Sequence, residues 1–152
     1  MDFCDNGTLT PEMTSSGTLV LLTRLAKAVH RASTEELLGI TLRQFVMLSY
    51  LRERDAMPQQ ELCESLLLDA NNCVLLLNEL EQAGYAERKR DVEDRRRHVV
   101  NITTSGRRAV EHAERARESL EDQVLAGLSA EERATLATLL SRALEVQPAA
   151  VR

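Results

Sequence analysis

The sequence has no tryptophan among its 152 residues, and its only aromatic residues are Phe3, Phe45, Tyr50 and Tyr85. The core must therefore be aliphatic, and the abundance of Leu, Ala, Glu and Arg favours helices. No apolar run approaches the ~20 residues of a membrane span, and the acidic N-terminus lacks the pattern of a signal peptide. These absences predict a single domain of a soluble cytoplasmic protein, without membrane contact.

Cysteines and catalytic signatures are also scarce. Cys4, Cys63 and Cys73 form an odd, unclustered set without the spacing of a zinc site. We therefore expect reduced, inert thiols, no disulfide framework and no bound metal. The sequence has neither a glycine-rich phosphate loop nor a nucleophile elbow, so we expect no enzyme activity, no catalytic residue and no cofactor.

Positive charge is in the minority, but it is concentrated. The chain has a formal net charge of −5, whereas residues 88–108 hold eight Lys/Arg and three Asp/Glu, a net +5 that leaves −10 for the rest. Such a polarised distribution favours contact between this segment and a polyanion. The alternative is a surface hairpin whose charges are only solvated.

Hydrophobic periodicity and capping residues divide the chain into helices and one hairpin. Thr41, Asp69 and Ser129 are good N-caps, Pro58 suits a first helical turn, and Gly84 suits a helix end. The alternating runs at 85–90 and 97–102 are typical of a β-hairpin. The predicted helices lie at 16–31, 42–54, 58–68, 70–84, 105–125 and 130–145. The third and fourth are close enough for a helix-turn-helix, and the basic hairpin after them has the place of a wing.

The first helix is apolar around much of its circumference, with Val20 and Leu21 widening the stripe of Leu19, Leu22 and Leu25. Such breadth predicts burial on two sides, against its own domain and against a partner chain. The stripe of the helix at 105–125 is narrow and rich in alanine, which suits close helix contact.

Four stretches resemble the MarR family of bacterial transcription regulators: TLRQFVMLSYL (41–51), LNELEQAGYAERKR (77–90), DRRRHVVNITTSG (94–106) and LSAEERATLATLL (128–140). The resemblance covers about residues 16–145, and the wing is its most specific part. It implies one domain, 1–152, that is mainly α with a small β-hairpin wing. The winged helix-turn-helix would span 41–104, and dimerisation helices 16–36 and 105–146. The implied protein is a homodimer on a pseudo-palindromic operator in double-stranded DNA.

The resemblance and the chemistry of base recognition together predict the DNA contacts. In the wing, Asp94 would brace Arg96 in a bidentate pair for entry into the minor groove. In the recognition helix, asparagines would pair with adenine, and Val74 and Leu75 would touch thymine methyl groups; the alternative is that they only cap and pack. The full predicted set is Gln59, Gln60, Asn71, Asn72, Leu75, Asn78, Lys89, Arg90, Asp94, Arg95, Arg96 and Arg97.

The resemblance also implies a ligand site between the dimerisation helices and the winged lobe. An aromatic carboxylate would need an Arg and a His there, and the predicted residues are Arg24, His30, Arg31, Met47 and Tyr50. The expected function is a repressor that such an acid releases, although these residues could equally serve the core or surface. Two alternatives remain open: a winged-helix protein-interaction module with weakened DNA binding, and a thiol-based redox regulator that uses one of the cysteines.

Overall fold

The computed structural model describes residues 17–145. Cys4 lies outside the described residues. The elements are α1 (Thr18–Ala32), α2 (Glu35–Leu38), α3 (Leu42–Arg54), β1 (Ala56–Pro58), α4 (Gln59–Ser65), α5 (Ala70–Gln82), β2 (Ala86–Arg90), β3 (His98–Ile102), α6 (Thr104–Val124) and α7 (Ala130–Glu145). The prediction of a mainly α protein with a small β wing is confirmed.

Capping residues start the helices where the sequence predicts. The Thr41 hydroxyl accepts the amide of Gln44 at 3.2 Å, while the Gln44 side chain accepts the amide of Thr41 at 3.1 Å. Ser129 and Glu132 form the same reciprocal pair ahead of α7. Each pair satisfies two amides that the first helical turn leaves without a partner. Because the interaction spans only three residues, it is readable from the sequence.

The sheet is larger than the predicted hairpin. It has three antiparallel strands in the order β1-β3-β2, and Met57 of β1 pairs with Val100 of β3. β1 has three residues and ends at Pro58, so it is too short to show an alternating pattern.

The helix predicted at 58–68 is also shorter, because Leu67 has a φ of 53° and such a left-handed backbone does not continue an α-helix.

One aliphatic core holds the winged lobe together. Its largest members come from α2 to α6 and from the sheet, and they include Leu38, Met47, Leu48, Leu51, Met57, Leu62, Leu76, Leu77, Leu80, Val100 and Val110. In contrast, neither α1 nor α7 has a buried residue in this single chain. Leu19 of α1 is 80% exposed and Leu139 of α7 is 53% exposed. The apolar faces of these two helices are therefore open.

The long helix α6 joins the lobe at the base of the wing. The Thr103 hydroxyl caps α6 by accepting the Gly106 amide at 3.0 Å, and it donates to the Gly84 carbonyl at 2.6 Å. Gly106 is buried directly against the Tyr85 carbonyl oxygen. α6 then continues past α3 and reaches α1 and α2. None of the helices within residues 17–145 is long and apolar enough to cross a bilayer.

Candidate nucleic-acid interface

The helix-turn-helix consists of α4 and α5. The carboxylate of Asp69 accepts the amide of Asn72 at 2.9 Å and so caps α5. One stripe of α5, Cys73, Leu76, Leu77 and Leu80, is buried in the core. The opposite stripe, Asn71, Val74, Leu75 and Asn78, is exposed. Both stripes follow the i, i+3, i+4, i+7 spacing of one helix face, and we call the exposed one the recognition stripe.

The expectation of reduced thiols without a disulfide is wrong for two of the three cysteines. Cys63 of α4 and Cys73 of α5 form a disulfide, with their Cα atoms 5.8 Å apart. The sequence shows them ten residues apart without a pairing pattern. The turn between α4 and α5 folds the two helices together and brings the thiols into contact. The disulfide thus covalently ties the recognition helix to the helix before it.

The three predicted asparagines differ in their availability. The Asn72 amide nitrogen donates to Asp69 at 2.5 Å, and the Asn78 carbonyl oxygen accepts from Arg88 at 2.5 Å. Asn71 is exposed, and its side chain has no hydrogen bond within residues 17–145. DNA contact by Asn72 or Asn78 stays a prediction, but each would have to give up or share an intrachain bond.

Arg88 connects the wing to the recognition helix, a role that sequence reasoning missed. Its guanidinium donates to Glu81 and to Asn78 at 2.5 Å each, and its backbone amide donates to Glu81 at 2.9 Å. The hydrogen bond from the Arg88 side chain, together with its charge, lowers the pKa of Glu81 against the opposing effect of desolvation. The sequence did contain a signal for this pair, because the acidic Glu81 and the basic Arg88 lie on either side of the turn at Gly84.

The predicted brace between Asp94 and Arg96 is also wrong. One Asp94 carboxylate oxygen accepts the backbone amide of Arg96 at 3.0 Å, and the other lies 3.6 Å from Nε of Arg97. A further bond, from the Arg97 amide to the Asp94 carbonyl at 2.9 Å, closes this turn. Asp94 therefore stabilises the backbone of the wing tip. An aspartate side chain in a turn commonly accepts the backbone amide of the residue two positions later.

The remaining predicted wing residues are exposed. Lys89 is paired with Glu87 at 2.6 Å within the same strand. Arg90, Arg95 and Arg96 have no ion pair in the described part of the chain. These three guanidinium groups are thus free to meet an anion, and no reorganisation of an existing pair is needed.

A cleft separates the helix-turn-helix from the wing. Predicted DNA-contact residues line both of its sides: Gln59 and Gln60 of α4 with Val74 of α5 on one side, and Arg96 and Arg97 of the wing on the other. The cleft also has carboxylates from Glu61, Glu64 and Asp69, of which Glu61 pairs with Arg54 and Glu64 accepts from Gln60. These negative groups weaken the non-specific electrostatic attraction between the cleft and DNA phosphates.

The predicted ligand residues are not gathered at one surface. Met47 has no exposed surface and belongs to the core, so it cannot touch a ligand in this conformation. Tyr50 is partly buried against the same core. Arg24, His30 and Arg31 are exposed on α1. Among the described residues, no group of three or more His, Cys, Asp or Glu is placed to hold a metal ion.

A helix-turn-helix followed by an antiparallel sheet with a basic tip defines this chain as a winged helix-turn-helix protein. The MarR family model matches residues 38–97. Over these residues the chain is similar to the MarR family of transcription regulators, as its sequence predicts.

Individual relatives agree with this assignment. The chain is 32% identical over 104 residues, 68% of its length, to the uncharacterised HTH-type transcriptional regulator YdgJ of Bacillus subtilis, and it spans 63% of that relative. A probable transcriptional regulator from Pseudomonas aeruginosa matches with a TM-score of 0.74, 27% identity, and coverage of 85% and 98% of the two chains. A mutant MarR from Escherichia coli complexed with operator DNA matches with a TM-score of 0.72, 29% identity, and coverage of 82% and 91%.

Proposed function

We propose that this protein is a dimeric, sequence-specific DNA-binding transcriptional regulator, a repressor that a small aromatic or phenolic acid releases. The observation that carries the proposal is the cleft shared by the recognition helix and the wing, with Val74 on one side and Arg96 on the other. A helix reads base edges in the major groove, while wing arginines suit the narrow minor groove beside it. The similarity to a mutant E. coli MarR solved with operator DNA supports the same use of this fold.

The open apolar faces of α1 and α7 support the proposed dimer. Leu19, Val20, Leu21 and Leu22 are all exposed in a row on α1, and Leu139 and Leu144 are exposed on α7. A soluble protein rarely leaves such a contiguous apolar surface in water. A second copy of the chain would cover both faces and place two winged lobes on one pseudo-palindrome.

The DNA-binding proposal is tested with a duplex from the region upstream of the protein's own gene. Each phosphate contact steepens the fall of log K with log salt by about one unit. We expect specific binding by the wild type and a salt slope about one unit smaller for Arg96→Ala. Arg115→Ala removes the same charge from the middle of α6, where Arg115 bonds only to its own helix, and should leave the slope unchanged. Absence of specific binding, or an equal slope for both variants, contradicts the proposal and favours a protein-interaction module.

The effector proposal rests on α1, where Arg24 and Arg31 are exposed about two helical turns apart and His30 is exposed beside Arg31. Tyr50 of α3 is partly buried and would offer the edge of an aromatic ring. Salicylate and 4-hydroxybenzoate are suitable probes. We expect each active acid to raise the melting temperature and weaken operator binding, and Arg24→Ala to abolish both effects. If no aromatic carboxylate changes either quantity, the effector assignment is wrong.

Redox sensing is a second candidate function, which the Cys63–Cys73 disulfide favours. A hydroperoxide would take two electrons and two protons from the two thiols, forming the disulfide, one alcohol and one water molecule. Because the disulfide links α4 to α5, its formation or reduction would change the position of the recognition helix. We expect dithiothreitol to change operator affinity in the wild type and to have no effect on a Cys63→Ser/Cys73→Ser variant. Equal affinity of the oxidised and reduced wild type would contradict a sensing role.

A further inference from the structure

The recognition stripe lacks the groups that normally read guanine. Between Arg54 and Arg88 the sequence contains no Lys or Arg. Arginine and lysine are the side chains that commonly pair with guanine O6 and N7, so α5 has none to offer. Guanine recognition from this helix would have to rely on the asparagine amides.

Two of those amides are already bonded inside the chain. Asn72 is bonded to Asp69, and Asn78 is bonded to Arg88. This leaves Asn71, at the N-terminal end of the stripe, as the asparagine whose amide has neither its oxygen nor its nitrogen bonded within the described residues. An Asn side chain pairs most specifically with adenine, through N6 and N7.

The centre of the stripe is apolar and open. Leu75 is 58% exposed and Val74 is 37% exposed, on the face opposite the buried stripe of α5. Val74 borders the cleft that Arg96 and Arg97 line from the wing, and Glu61, Glu64 and Asp69 line the same cleft from the helix-turn-helix. An aliphatic pair beside guanidinium groups is complementary to a partner that is anionic and also presents apolar groups. Double-stranded DNA combines the two properties where thymine methyl groups line the major groove between the phosphates.

On the basis of the proposed function, we infer that the half-site read by α5 is A·T-rich, with thymine C5-methyl groups packed on Val74 and Leu75 beside an adenine that Asn71 contacts. The specificity-determining residues are then Asn71, Val74 and Leu75. Base choice depends mainly on methyl burial, and the wing arginines supply the charge. The same A·T composition narrows the minor groove and concentrates negative potential there, which is favourable for the wing.

The first experiment selects duplexes from a random library with the full-length protein. The inference predicts half-sites with at least two adjacent A·T pairs at the positions that α5 covers. Enrichment of G·C pairs there overturns the inference but leaves the proposed function intact. Failure to enrich any sequence overturns both.

The second experiment replaces single thymines of the selected duplex by deoxyuridine, which removes the methyl group and keeps every hydrogen-bonding edge. Burial of one methyl group corresponds to roughly fourfold in affinity. We expect the wild type to lose roughly that factor at one or two positions in each half-site. Leu75→Ala should bind the thymine duplex more weakly and no longer distinguish thymine from deoxyuridine at one of these positions.

Val46→Ala is the matched control. Val46 is also an exposed aliphatic residue, at 39%, but it lies on α3, outside the recognition stripe and outside the cleft. This variant should keep the full difference between thymine and deoxyuridine. If the wild type binds every deoxyuridine duplex as tightly as the thymine duplex, or if Leu75→Ala keeps the difference, the inference is overturned while sequence-specific binding still stands. Circular dichroism of the variants verifies that they are folded.

Discussion

Gly106 lies where the first turn of α6 passes the carbonyl oxygen of Tyr85. A Cβ atom at this position would collide with that oxygen and would crowd the side chain of Ile102. Neither neighbour can easily move, because Tyr85 accepts the amide of Thr103 at 3.0 Å and Ile102 is nearly buried. Close packing at the base of the wing therefore requires glycine at position 106.

We therefore predict that Gly106→Ala lowers the free energy of unfolding by about 2 kcal/mol, the typical effect of overpacking. Urea denaturation monitored by circular dichroism measures it. Gly127→Ala is the control, because nothing lies within 4 Å of its Cβ position. That variant should change stability by less than about 0.5 kcal/mol. Equal stability of the two variants would contradict the packing argument.

On the scale of the elements, an ion pair joins α3 to α6. Arg52 donates to Glu114 at 2.6 Å, and the two side chains are 27% and 37% exposed. The pKa of Glu114 is lowered from its ordinary value of 4.5, mainly by this hydrogen bond and also by the positive charge of Arg52, against desolvation. Because the folded pKa is the lower one, this contribution to stability is complete above the unfolded pKa. It is lost as the pH falls through the folded pKa.

The corresponding prediction concerns Glu114→Gln. At pH 7 we expect it to cost up to about 1 kcal/mol, the range of a partly exposed pair. The difference from the wild type should shrink as the pH falls below 4.5, because the wild-type carboxylate is then being protonated. Denaturation curves between pH 3 and pH 7 measure this. Glu118→Gln is the control. It removes an exposed carboxylate of the same helix, and this carboxylate has no ion pair in the described chain. A pH-independent difference for Glu114→Gln would refute the linkage.

On the scale of the whole molecule, the exposed apolar faces of α1 and α7 are the surface proposed to bind a second copy. We predict that Leu139→Glu weakens the dimer, because a charge would be buried against apolar residues of the partner. Leu75→Glu makes the same substitution at a similarly exposed residue, 58% against 53%, but on the recognition stripe. It should remain dimeric and lose DNA binding. Sedimentation equilibrium of both variants decides the matter: a Leu139→Glu protein that dimerises like the wild type would show that the interface lies elsewhere.

Features that depend on near neighbours in the chain were predictable. The bounds of α3, the cap at Thr41 and the capping box at Ser129 involve residues at most four apart, so they leave a pattern in the sequence. The wing strands are identifiable for the same reason. β1 and α2 were missed because three or four residues are too few to establish a period.

The side-chain pairings of the interface were not predictable, because the conformation of a turn or the packing of two elements selects each partner. The disulfide joins Cys63 and Cys73 across the helix-turn-helix, and Arg88 joins the wing to Asn78 and Glu81. Asp94 is bonded to Arg97 and to the amide of Arg96, because the conformation of the turn selects among three adjacent arginines. Composition and spacing alone do not distinguish these pairings.

The sequence by itself determined the order of the helices, the basic wing and the apolar character of α5, because periodicity, caps and charge are local properties. Only the tertiary structure decided which side chains on that helix remain available. Packing turned one stripe of α5 into the core and left Asn71, Val74 and Leu75 open, while bonds to Asp69 and Arg88 occupied the other two asparagines. A side chain contacts DNA at least cost where the fold leaves it exposed and without an intrachain partner, and the packing of α5 against the lobe and the wing settles its exposure.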